Sequence, residues 1–127
     1  MSRETFYKGA QGNLSVHLMT VELAALAAAG KVTLTDHLPL GTQITGIRHV
    51  TEALGASTAL TVDVVDKAAA SVELLAVTTT SALEGTKALL PIYVGDNGSS
   101  SLVLENTGAS AATGKVHIAL EYRFKGY

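Results

Sequence analysis

The chain has 127 residues, nine Lys and Arg against eleven Asp and Glu, a net charge of −2, and no cysteine. One domain of this length buries roughly two-thirds of the surface its unfolded chain exposes. The charge balance excludes a strongly basic nucleic-acid binder, and the missing thiols exclude disulfides, thiolate metal sites and a Cys nucleophile. Hydrophobic residues make up 47% of the chain but charged ones only 16%. The remainder is largely Thr, Ser and Gly, so the exterior is weakly hydrated, as expected where it meets other subunits.

Residues 1–13 carry mixed charge, Gly9 and Gly12, and no clear periodicity. They read as an extended N-terminal arm, with the sandwich domain occupying 14–127. Met1–Lys8 is polar and no apolar run follows it, so no secretory signal is expected. The arm holds Phe6 and Tyr7, two of only six aromatics. An aromatic pair in a polar arm docks either on a partner or on its own domain.

Leu14, Val16 and Leu18 alternate with polar residues, which predicts a strand with those three inward. The next apolar pair, Val21 and Leu23, is out of phase, which predicts a bulge near Met19–Thr20. Leu23–Gly30 (L-A-A-L-A-A-A-G) is either a short helical turn or a strand end followed by a loop. Lys31–Thr35 alternates with Val32 and Leu34 inward, and Pro39 and Gly41 then impose a turn. In Thr42–Val50 the spacing of Ile44 and Ile47 breaks alternation, and Gly46 between them predicts a β-bulge.

After a small-residue link at Gly55–Ser57, Leu60, Val62 and Val64 mark the inner face of a well-defined strand. Asp66–Ala70 is a connector. Ser71–Val77 is a strand with Val72 and Leu74 inward, or a helical turn. Thr78–Thr86 reads as a loop. Ala88–Val94 is apolar, but Pro91 confines it to a sheet edge or a bulge. Asn97-Gly98 is the strongest local hairpin signal. Ser101–Glu105 is a strand with Leu102 and Leu104 inward, and Asn106–Gly114 a flexible small-residue loop. Lys115–Phe124 has Val116, Ile118, Leu120, Tyr122 and Phe124 on one face, a pattern that belongs in the middle of a sheet. The expected fold is all-β: an antiparallel two-sheet β-sandwich, jelly-roll-like, of about eight strands.

Four sets of residues suggest chemical motifs and fall short of them. Gly108–Lys115 (G-A-S-A-A-T-G-K) has one residue too many for a phosphate loop, has Val116 where Ser or Thr is required, and leads into a strand. Gly55–Ala59 (G-A-S-T-A) lacks the second glycine of a nucleophile elbow and also enters a strand. His17, His37, His49 and His117 show no ligand-pair spacing and read as surface or interface histidines. Asp63, Asp66 and Asp96-Asn97-Gly98 fall short of a calcium loop and read as turn chemistry. No catalytic residue, metal or cofactor is expected.

Leu38–Val64 (L-P-L-G-T-Q-I-T-G-I-R-H-V-T-E-A-L-G-A-S-T-A-L-T-V-D-V), with K-V-T-L-T before it and Gly114–Tyr122 (G-K-V-H-I-A-L-E-Y) at the end, resembles small virion proteins of tailed bacteriophages. The resemblance implies a non-enzymatic sandwich that clamps the major capsid protein lattice as a head decoration, or cement, protein. It implies no nucleic-acid or membrane partner, a homotrimer or dimer, and a place on the capsid exterior after synthesis in the host cytoplasm. Phe6, Tyr7, Lys8 and Tyr127 are the interface candidates. A neck, tail or fibre-associated role is the alternative, and a carbohydrate- or ligand-binding sandwich a further one. The absence of Trp argues against the sugar-binding reading.

Overall fold

The structure, a computed structural model, describes residues 14–38, 41–66, 71–94 and 100–124, and for Leu14, Asp36, His37, Leu90, Pro91, Tyr93 and Phe124 only the backbone. Eight strands run through it: β1 (Leu14–Leu26), β2 (Lys31–Leu38), β3 (Thr42–Thr51), β4 (Ala59–Val65), β5 (Ser71–Thr78), β6 (Leu83–Tyr93), β7 (Ser100–Asn106) and β8 (Ala112–Phe124). They form two antiparallel four-stranded sheets, ordered β1-β8-β3-β6 and β2-β7-β4-β5. The expected jelly-roll sandwich is therefore what forms, and among the described residues no helix occurs. Only β4 and β5 are neighbours both in sequence and in a sheet.

The core is the space between the sheets. Val116, Ile118, Leu120 and Tyr122 of β8 are almost fully buried, and β8 lies between β1 and β3, as its long alternation predicts. Ile44 and Ile47 of β3 join them from one sheet, and Leu60, Val62, Leu102 and Leu104 face them from the other. The predicted bulge in β3 is present. Ile44 pairs with Tyr122 and Gly46 with Glu121, which leaves Thr45 as the extra residue. A Cβ on Gly46 would stand 2.8 Å from Oε1 of Glu121, so the glycine makes room for that carboxylate. Pro91 sits in β6, an edge strand, where the β3–β6 register shifts between Ile44 and Gly46.

Several expectations need correction. β1 has no bulge at Met19–Thr20: its pairing with β8 is continuous from Leu14 to Leu23 and shifts only before Leu26. The apparent change of phase disappears once the faces are exchanged. Met19 and Leu23 are buried and Val21 half-buried, whereas Val16 and Leu18 point outward. Of the two readings of Leu23–Gly30, the strand end followed by a turn is the one that forms. Ser71–Val77 is a strand, but its register shifts between Val62 and Asp63 of β4, so Leu74 and Leu75 are both buried while Val72 is exposed. β6 begins at Leu83, inside the expected loop. The hairpin signal at 97–98 lies outside the described residues, and the strands it connects, β6 and β7, belong to different sheets.

The segment 106–114, expected to be flexible, is pinned. Asn106 is fully buried, and its Nδ2 donates to the carbonyls of Leu26 at 2.9 Å and Ser110 at 2.8 Å, while its Oδ1 accepts from the Gly108 N–H at 3.0 Å. One side chain thus ties the β1–β2 turn to the β7–β8 loop.

Candidate docking surface

The motif-like stretches acquire structural roles. The Ala109 and Ser110 N–H groups both donate to the carbonyl of Ser57, at 2.8 and 3.3 Å, so the loop at 108–110 has no amides turned toward a phosphate. A Cβ on Gly108 would lie 2.3 Å from that same carbonyl oxygen. Gly108 is thus required by backbone close approach to the 55–59 segment, and each of the two suspected sites is the other's packing partner. Thr58, beside Ser57, is buried and accepts a hydrogen bond from Thr79 Oγ1 at 2.8 Å. Among the described residues no group of three or more His, Asp and Glu side chains is placed to hold a metal ion.

Three of the four histidines are spread over both faces of the first sheet, and His37 lies in β2 of the second. His117 lies on the outer face, with its Nδ1 hydrogen-bonded to the Thr20 hydroxyl at 2.9 Å. His17 pairs with Leu120 and so lies on the core-facing side, half-buried. His49 corrects the expectation of a surface histidine. It is 6% exposed, pairs with Ile118, and lies against Gly85, where an added Cβ would come 3.0 Å from its Cε1. Its Nδ1 is buried without a hydrogen-bond partner, and burial pulls the imidazole below its ordinary pKa. His37 has only its backbone described.

Asp63 is on the outer face of the second sheet, directly across from Glu73 and near Glu105 and Lys31. Burial, then the Glu73 and Glu105 charges, push its carboxyl above the usual range, with Lys31 opposing. This face is therefore acidic and rich in Thr, with no large exposed apolar residue at its centre.

The outer face of the first sheet is different. Strand pairing aligns Leu18, Ala119, Arg48 and Thr86 in one row across β1, β8, β3 and β6, with Thr20, His117, Val50 and Glu84 in the row beside it. Val16 and Glu121 begin the row on the other side. Val16, Leu18 and Val50 are 59%, 65% and 42% exposed. An open groove of about 430 Å³ runs along β3 and β6, lined by Arg48, His49, Val50, Glu84, Gly85 and Thr86. Scattered exposed aliphatics need no explanation, but these occupy adjacent rows of one face, with charged residues around them. Exposed aliphatics interspersed with charged and polar side chains on one face make it a candidate docking surface. Sequence reasoning missed it because Val16 and Leu18 were assigned to the core. The interface candidates Phe6, Tyr7, Lys8 and Tyr127 lie outside the described residues.

No protein-family model matches the sequence, and no curated protein does. Solved structures do match in fold. A chain of the capsid of Ralstonia phage GP4 superposes with a TM-score of 0.71 at 18% identity, over 98% of this chain and 92% of that one. A chain of the cyanophage Pam1 capsid asymmetric unit gives 0.69 at 20% identity, over 98% and 94%. A chain of the acid-stable capsid of Helicobacter pylori bacteriophage KHP30 gives 0.57 at 15%, over 92% of each. Coverage is nearly complete in both directions, so the likeness joins whole chains of similar length. The fold of this chain is the eight-stranded sandwich found in chains of those phage capsids.

Proposed function

We propose that this chain is a non-enzymatic structural protein of a phage virion, which docks on the outside of the capsid lattice as a decoration, or cement, protein. The observation that carries the reading is the near-complete mutual coverage with small chains from phage capsid structures. The docking surface is the outer face of the β1-β8-β3-β6 sheet. Fully burying one aliphatic side chain contributes about 1.5–3 kcal/mol. Scaled by their exposures, Val16, Leu18 and Val50 can together supply about 2.5–5 kcal/mol per copy when covered. That is too little for a tight single contact after the cost of association, but ample when repeated over a lattice by a symmetric trimer or dimer. The major capsid protein is the partner that offers such repetition.

The test uses shells of the virus that carries the gene, prepared without this chain. The purified protein should add to expanded shells in fixed stoichiometry and raise their melting temperature. Leu18→Asp should keep the monomer's stability within about 0.5 kcal/mol, because the site is exposed, yet abolish addition to shells. Absence of any binding to shells, with a few copies instead copurifying with tails, would replace this reading by a neck, tail or fibre role.

A further inference from the structure

Val50 cannot be covered by a partner without its charged neighbours being covered too. It is 42% exposed on the outer face of the first sheet, directly opposite Glu84 and two residues from Arg48. All three line the open groove along β3 and β6, and both charged side chains are exposed. Arg48 stands opposite Thr86, so the two charges lie on a diagonal of the β3–β6 ladder. Diagonal neighbours are about 7–8 Å apart, within reach of long side chains. Yet among the described residues neither charge takes part in an ion pair or a hydrogen bond. Arg123, on the same face, is by contrast held through its Nε by Gln43 at 2.8 Å.

Solvent satisfies both free charges while the face is open. A surface seated on Val50 displaces that solvent, and a charge covered without compensation opposes docking more strongly than one aliphatic contact favours it. We infer that the docked surface is a protein segment that brings a carboxylate to Arg48 and a cationic side chain to Glu84, with aliphatic residues against Val50 and Leu18. The guanidinium fork accepts a carboxylate through two parallel hydrogen bonds, and arginine is enriched among residues that dominate interfaces. The spacing of the two charges then sets the partner's register on the sheet. A surface carrying its charges in the reverse order meets like charge at both positions and is rejected. The inference rests on the docking role proposed for this face and names what the docked surface carries.

The test measures addition of the full chain to expanded shells prepared without it. Arg48→Glu and Glu84→Arg should each weaken addition at least about tenfold, because each places like charge against the partner. The double exchange Arg48→Glu/Glu84→Arg has the parent's net charge and should add more weakly than either single variant. Arg48→Gln and Glu84→Gln, which remove a charge without reversing it, should each lose less than the corresponding reversal. All five variants change exposed residues, and thermal unfolding should match the parent. A double exchange that adds as well as the parent would overturn the inference, by showing that only net charge matters. Single reversals that add normally would also overturn it, while leaving docking through the aliphatic residues intact. A parent chain that adds to no shell would remove the docking role, and this inference with it.

Discussion

Asn106 is the sharpest test of how this sandwich holds its ends together. Its amide makes three well-formed side-chain hydrogen bonds, to Leu26 O, Ser110 O and the Gly108 N–H, with a longer one to Ala27 O at 3.4 Å. Its backbone adds two more, donating to Gly30 O at 2.9 Å and accepting from the Ala29 N–H at 2.7 Å. Asn106→Ala keeps the backbone bonds and removes the other three. At about 1 kcal/mol net for each, and more for any group left dry, the expected loss is about 3 kcal/mol. With a urea m-value of about 1–2 kcal/mol per M for a small domain, the unfolding midpoint should fall by about 1.5–3 M without a change in slope. Asn106→Asp is nearly isosteric and keeps the acceptor for Gly108, but turns a carboxylate oxygen toward the carbonyls of Leu26 and Ser110. At neutral pH it should cost at least as much as alanine, and recover part of the loss when acid protonates the carboxyl. A loss below about 1 kcal/mol for Asn106→Ala, or an Asp variant as stable as the parent, would refute the claim that this side chain bears the load between the two loops.

Leu120→Asp should abolish folding, since it places an unpaired charge at a fully buried position, and circular dichroism of the purified variant would show it. His49 should make the protein acid-sensitive. Its folded pKa lies below the ordinary 6.5, so between those two values the unfolded chain binds more protons and stability falls as pH drops. The urea midpoint of the parent should therefore decline from pH 7.5 to 5.5 by more than that of His49→Leu, and parallel declines would contradict the argument. Asp63 has the opposite sign. Its raised pKa means that stability is lost as pH rises through the carboxyl's folded value, and one of its oxygens is buried without a hydrogen-bond partner. Asp63→Asn should stabilise the protein at pH 7 by up to about 1 kcal/mol, with little gain at pH 3, as read by thermal unfolding.

The location of the strands was legible in the sequence, because a strand with one buried face writes a two-residue period that needs no partner to be read. Leu60, Val62 and Val64 in β4 and Val116 to Tyr122 in β8 are cases, and the bulge at Gly46 was legible for the same reason. Pro91 correctly marked an edge, since a residue without an N–H cannot serve a central ladder. The outward-facing side of β1 was not legible. In β1 both alternating sets are apolar, so the period alone does not say which set faces inward. That choice was made by register with β8, which places Met19 beside Ile118 and leaves Val16 beside Glu121. Nor could local signals reveal the pairing: of six strand pairings only β4–β5 joins consecutive strands, and the hairpin signal at Asn97-Gly98 bridges two sheets. The sequence by itself therefore determined an all-β chain, its approximate strands and most of its core. Tertiary structure alone decided which strands meet, which face of β1 is exposed, and that Ser57, Gly108 and Asn106 serve packing. The physical reason is that periodicity is a property of one strand, whereas register and exposure are properties of a strand and its distant neighbours.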